Sequence, residues 1–146
     1  MKKRWVIIII CSFFFAFLIT RFVNLIVVNG QSMSPTLTDG QYLIGQGFDK
    51  SPNRGDIVVL NTYPDKLIKR VVGLPNEKVK VSNKLYINGK EIKEPYISKW
   101  DKHKTIEVEL GADEIFVMGD NRDHSSDSRE VGAFRLSDIQ YKIIGV

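Results

Sequence analysis

Residues 67–92 read LIKRVVGLPNEKVKVSNKLYINGKEI. Leu67–Val72, Lys78–Val81 and Leu85–Ile87 are short, rich in β-branched and apolar residues, and separated by Gly, Pro, Asn and Ser. Alternation with a period of two bounded by such turn residues predicts strands. Asn88-Gly89, between LYI and KEI, predicts a type I′ hairpin, since both central residues of that turn take positive φ. Outward from this stretch the pattern continues. Gln41–Gly45 and Asp56–Leu60 precede it; Thr105–Leu110, Glu114–Met118 and Ile139–Val146 follow. Beyond residue 26 no segment sustains a 3.6-residue apolar period, apart from a turn of helix near Ser137–Ile139. The expectation is an all-β body. Pro95–Lys104 (PYISKWDKHK) is expected to be a long exposed loop whose lysines and His103 are solvated.

The N-terminus is of another kind. Trp5 to Thr20 (WVIIIICSFFFAFLIT) carries no charge. At about 1.5 Å per residue it falls short of a ~30 Å hydrocarbon core. Arg21 can snorkel, and Phe22 and Val23 extend the run. A cleaved leader needs a small-x-small site after its apolar core, and RFVNLIVVNG offers none. Cys11 lies mid-run behind Ile10 and reads as apolar filler. The segment is therefore expected to be an uncleaved signal anchor, with Lys2, Lys3 and Arg4 holding the N-terminus in the cytoplasm against the single opposing Arg21. The expected divisions are a cytoplasmic tail over residues 1–4, a transmembrane anchor over 5–23 and an extracytoplasmic domain over 24–146. Such a domain of about 120 residues is one core, not two.

The charge balance narrows the function classes. The chain of 146 residues has 21 basic and 17 acidic residues, and four of the basic ones lie at or before Arg21. The remainder is balanced, so no basic face argues for nucleic acid. One cysteine and two histidines leave no intrachain disulfide and no cysteine- or histidine-rich metal centre.

Three polar strings stand out. GQSMSPTL (30–37) lies a few residues past the anchor. IKRVVGLP (68–75) places Lys69 inside an apolar strand. MGDNRDHSSDSR (118–129) follows an apolar strand directly. A serine nucleophile needs a base. A buried lysine can serve if desolvation lowers its pKa. Period two puts Lys69 and Val71 on one face and Ile68, Arg70 and Val72 on the other, so one of the two basic residues points inward and the other outward. From pattern alone an edge lysine guarding a strand is the favoured reading. G-x-S-x-G and S-x-x-K are both absent. A triad through His124, with Asp123 and Asp127 beside it, is disfavoured but compatible with the spacing.

An anchor followed in order by GQSMSPTL, RGDIVVL (54–60), IKRVVGLP and MGDNRDHSSDSR resembles bacterial type I signal peptidase, in its compact Gram-positive form. The resemblance runs from the anchor to about Asp138. It implies a barrel-like fold of coiled antiparallel sheets and a Ser/Lys dyad, with Ser32 as nucleophile and Lys69 as general base. It implies that Ser125, next to the alternative Ser126, orients the lysine amine, and that Asp120, Asp127 and Arg129 hold the loop together. Met33 falls on the cleft wall. Gly30 stands where Gram-negative members have an oxyanion-hole serine, which leaves the oxyanion to the Ser32 N–H and a further donor. The implied activity is cleavage of signal peptides from exported preproteins after small-x-small sites, at the cell membrane, beside the lipid bilayer and the export machinery, without a cofactor. The alternatives are a self-cleaving Ser/Lys peptidase of the repressor type and a catalytically silent, membrane-anchored peptide-binding homologue.

Overall fold

The computed structural model describes residues 2–47, 51–97 and 105–146, with the side chains of the first helix described over 4–15. Helix α1 (Lys2–Phe22) leads directly into β1 (Val23–Val27). There follow β2 (Tyr42–Gln46), β3 (Ile57–Leu60), β4 (Leu67–Gly73), β5 (Lys78–Val81), β6 (Leu85–Ile87), β7 (Lys90–Ile92), β8 (Ile106–Glu109) and β9 (Glu114–Met118). A four-residue helix α2 (Ser128–Val131), β10 (Phe134–Arg135) and β11 (Ile139–Ile144) complete the chain. Every pairing is antiparallel: one sheet runs β1-β2-β11-β3-β4-β9-β10, the other β7-β6-β5-β8.

The body is all-β, as the alternation predicts. Asn88 and Gly89 take φ of 50° and 79°, the turn that their identities specify. Three elements differ from expectation. Val23 belongs to β1 and not to the helix, and β1 begins before residue 26. Residues Ser128–Val131 form a helix where none was expected. Among the described residues, no helix is long and apolar enough to cross a membrane. His103 lies outside the described residues.

β3 shows how the core is built. Ile57 and Val59 enter one apolar cluster with Val28, Met33, Leu37, Leu43 and Ile143. Val58 and Leu60 enter another with Val71, Ile115, Val117 and Ile139. A strand covered on both faces reads as an unbroken apolar run, here IVVL. A third cluster, including Val72, Val79, Leu85 and Phe116, joins the two sheets. Gly73 sits at that junction. A Cβ there would come within 2.6 Å of Val79 and 2.9 Å of both Leu110 and Phe116, so only glycine fits at this approach.

Candidate active site

Ser32 is carried by the loop between β1 and β2. The loop is closed at its base, where Val28 N–H donates to Gln41 O (2.8 Å) and Gly40 N–H to Val28 O (2.9 Å). Met33 and Leu37, each 1% exposed, pin it into the core. With its neighbour so anchored, the Ser32 hydroxyl is held against β4. There Lys69 Nζ donates to Ser32 Oγ at 2.8 Å.

Lys69 is 3% exposed. It pairs in register with Val58 and precedes Val71 by two residues, and both are fully buried. Burial lowers its pKa; Asp127 opposes that shift and Arg129 adds to it. A neutral amine accepts the serine proton across the same distance at which the ammonium donates. Arg70, on the opposite face of the strand, lies in an ion pair. Its Nε and Nη2 reach the Asp120 carboxylate at 2.8 and 2.6 Å, and Nη1 donates to Gly55 O at 2.7 Å. The β4 backbone thus presents one amine to the serine and one cation to a buried carboxylate.

The 118–129 loop closes over this pair. Asn121 N–H donates to Ser32 O at 3.0 Å. Gly119 is wedged between Ser125 and Ser32: a Cβ there would meet Ser125 Oγ at 2.2 Å and Ser32 O at 2.5 Å. Asp127, fully buried, accepts from Gly119 N–H (2.9 Å), Ser125 Oγ (2.7 Å) and Arg129 Nε (2.8 Å). Burial alone would raise its pKa, but the Arg129, Gly119 and Ser125 contacts outweigh it and hold the carboxyl low. Asp127 also caps α2 by accepting from Arg129 N–H.

The structure brings Ser32, Met33, Lys69, Asp120, Ser125, Asp127 and Arg129 into one cluster, with two departures in detail. Among the described residues, the Lys69 amine bonds Ser32 and not Ser125, whose hydroxyl goes to Asp127. Gly30 donates its N–H to Asp39 Oδ1 (2.8 Å) and is therefore not free to bind an oxyanion, whereas the Ser32 N–H has no acceptor among the described residues. An open cleft of about 550 Å³ runs past Ser32, with residues 25–33 on one wall and 66–69 on the other. His124 and Ser126 also line it. Among the described residues no cluster could hold a metal ion.

Sequence reasoning missed Arg122, Glu94 and Tyr96. Arg122 Nη1 and Nη2 meet the Glu94 carboxylate at 3.0 and 2.6 Å. Tyr96 donates to Glu94 Oε1 at 2.6 Å and lies 4.0 Å under the Arg70 guanidinium. Tyr96 was expected in an exposed loop. It is half-buried because its ring and hydroxyl are both engaged. No periodicity marks a lone Glu-Pro-Tyr after a strand, so pattern alone held no signal for it.

The signal peptidase family, peptidase S26, matches residues 2–145. The chain is 40% identical over 131 residues to signal peptidase I P of Bacillus subtilis subsp. natto, covering 78% of this chain and 70% of that one. It is 38% identical over 158 residues to signal peptidase I S of Bacillus subtilis (strain 168), covering 93% and 83%. A crystal structure of a signal peptidase I from Enterococcus faecalis V583 superimposes with a TM-score of 0.55 at 27% identity, over 64% of this chain and 97% of that one. An all-β body with a serine and a buried lysine in contact, matched over residues 2–145 by the family, this chain belongs to the signal peptidase family of peptidases, S26.

Proposed function

We propose that this chain is a membrane-anchored serine endopeptidase that removes signal peptides from exported preproteins, with Ser32 as nucleophile and Lys69 as general base. The observation that carries the reading is the 2.8 Å contact between Lys69 Nζ and Ser32 Oγ, made by a lysine that burial pushes toward its neutral form. The Lys69 amine takes the Ser32 proton as Oγ attacks the scissile carbonyl. The Ser32 N–H, without an acceptor among the described residues, is suited to the oxyanion. The lysine then returns the proton to the departing amine, leaving an ester on Ser32. Water, deprotonated by the same amine, attacks that ester; acid is released and the hydroxyl restored.

The substrate would bind as an extended strand. β1 has β2 on one side only, and β4 meets β9 only from Arg70 onward, so both present unpaired backbone to the cleft. Such edges recruit a peptide through main-chain hydrogen bonds. Small residues before the cut would be selected by exclusion of bulk. Residues 1–4 would be cytoplasmic, 5–23 the anchor and 24–146 the catalytic domain. Leu25, Ile44 and Ile144 are paired in register and exposed, forming an apolar row close to the end of α1, which supports work at a bilayer surface beside the export machinery.

Ser32→Ala and Lys69→Ala should each abolish cleavage of a signal-peptide substrate while leaving the fold intact. The double variant should be hardly worse, since groups acting as a unit are not additive. Full activity in Lys69→Ala would end the Ser/Lys reading and turn attention to His124.

A further inference from the structure

The segment after β7 leaves the small sheet and enters the junction with the large one. The Glu94 side chain is 1% exposed and that of Arg122 is fully buried. Their two-point contact is the geometry in which guanidinium and carboxylate match best. Arg122 also donates through Nε to Gly119 O at 2.9 Å. Gly119 is the residue wedged against Ser125 and the Ser32 carbonyl. A chain of contacts thus runs from Glu94 through Arg122 and Gly119 to the serine. A second runs from Tyr96 through Arg70 to Asp120, the next residue along the same loop.

We infer that Glu94 and Tyr96 are positioning residues for the Ser32–Lys69 pair, by which the small sheet clamps the 118–129 loop onto the nucleophile. Neither touches the reacting atoms. Glu94 sets Arg122, which fixes the Gly119 carbonyl. Tyr96 supports both Glu94, through its hydroxyl, and Arg70, through its ring. The inference rests on the Ser/Lys reading and adds to it a role for the sheet remote from the cleft. Its effect on chemistry follows from the charges facing Lys69, which are Asp127 and Arg129. Asp127 is oriented partly by Gly119 N–H. If Gly119 shifts, Asp127 loses part of its hold on the ammonium, and the lysine deprotonates at lower pH.

The test is steady-state cleavage of a signal-peptide substrate by full-length Glu94→Gln and Tyr96→Phe in detergent, across pH and alongside thermal melts. For Glu94→Gln, kcat should fall about tenfold or more with KM within about twofold, the size of effect expected when reacting groups are displaced without losing binding contacts. The acid limb of the rate profile should move to lower pH. Tyr96→Phe keeps the ring under Arg70 and should show the same pattern, less strongly. Glu94→Gln/Arg122→Met removes both buried charges. It should melt closer to wild type than Glu94→Gln and remain slow. Wild-type kcat and an unmoved limb in folded Tyr96→Phe and in the double variant would overturn the inference, as would recovery of kcat in step with melting temperature. Should Glu94→Gln not fold, the other two decide. Ser32→Ala run in parallel separates the cases: retained cleavage there would sink the Ser/Lys reading itself.

Discussion

Lys69 is an amine placed where its charged form is disfavoured by burial. A free lysine titrates near ~10.4, so the neutral amine is scarce at neutral pH. Burial lowers the folded-state value. Between that lowered value and the unfolded one, the unfolded chain binds more protons, so stability rises with pH across the window. Below the window the folded chain carries the full penalty of a buried ammonium. Lys69→Met, similar in length and without charge, should therefore be inactive yet more stable than wild type near neutrality. Its advantage should shrink as pH rises through the window. Denaturant melts at several pH values check this; parallel pH dependences for the two proteins would refute it. On the Ser/Lys reading, catalytic rate should rise with pH through the same lowered value, because only the neutral amine can act as base.

The 118–129 loop is the element that turns a contact into a site. Most of it is irregular, and side chains take over the hydrogen bonding that a ladder would supply. Asp127 ties Gly119, Ser125 and Arg129 together and caps α2. Its folded-state value is depressed, so the stability it contributes is present above the ordinary carboxyl range and is lost as pH falls through the lowered value. Asp127→Asn leaves Arg129, whose side chain is 2% exposed, without its carboxylate partner. Breaking a buried pair in this way costs about 3–5 kcal/mol. Urea melts at neutral pH should show a loss of that order, narrowing toward wild type in strong acid. A loss that does not vary with pH would argue that Asp127 acts through shape alone. The serines of this run illustrate how far sequence reaches. The family resemblance brings Ser125 to the site, but its bond to Asp127 rather than to Lys69 depends on a carboxylate two residues on that folds back over it.

At the scale of the molecule, two sheets meet at Gly73, and the 118–129 loop packs against Ser32 through Gly119. In the proposed reading, the N-terminal charges and the exposed apolar row on β1, β2 and β11 would orient this body at a membrane. If Lys2, Lys3 and Arg4 hold the N-terminus inside as proposed, a reporter fused after Val146 should be active only when it functions outside the cytoplasm. Activity of a cytoplasm-restricted reporter at that position would refute the single-crossing topology. Deleting the basic triplet should weaken the bias.

The sequence alone determined the all-β class, most strand positions and the Asn88-Gly89 turn, because alternation and positive φ are local properties readable within a few residues. The ordered strings also brought Ser32, Lys69 and the charged loop to notice. That Lys69 faces the serine, that Arg70 meets Asp120, and that Glu94 and Tyr96 reach Arg122 and Arg70 emerge only with packing. Those outcomes depend on which residues distant in the chain share a buried volume. A lysine inside an apolar strand reads identically whether its partner is a serine 37 residues away or open water. Desolvation and charge pairing separate the two cases, and both arise only once the sheets have packed.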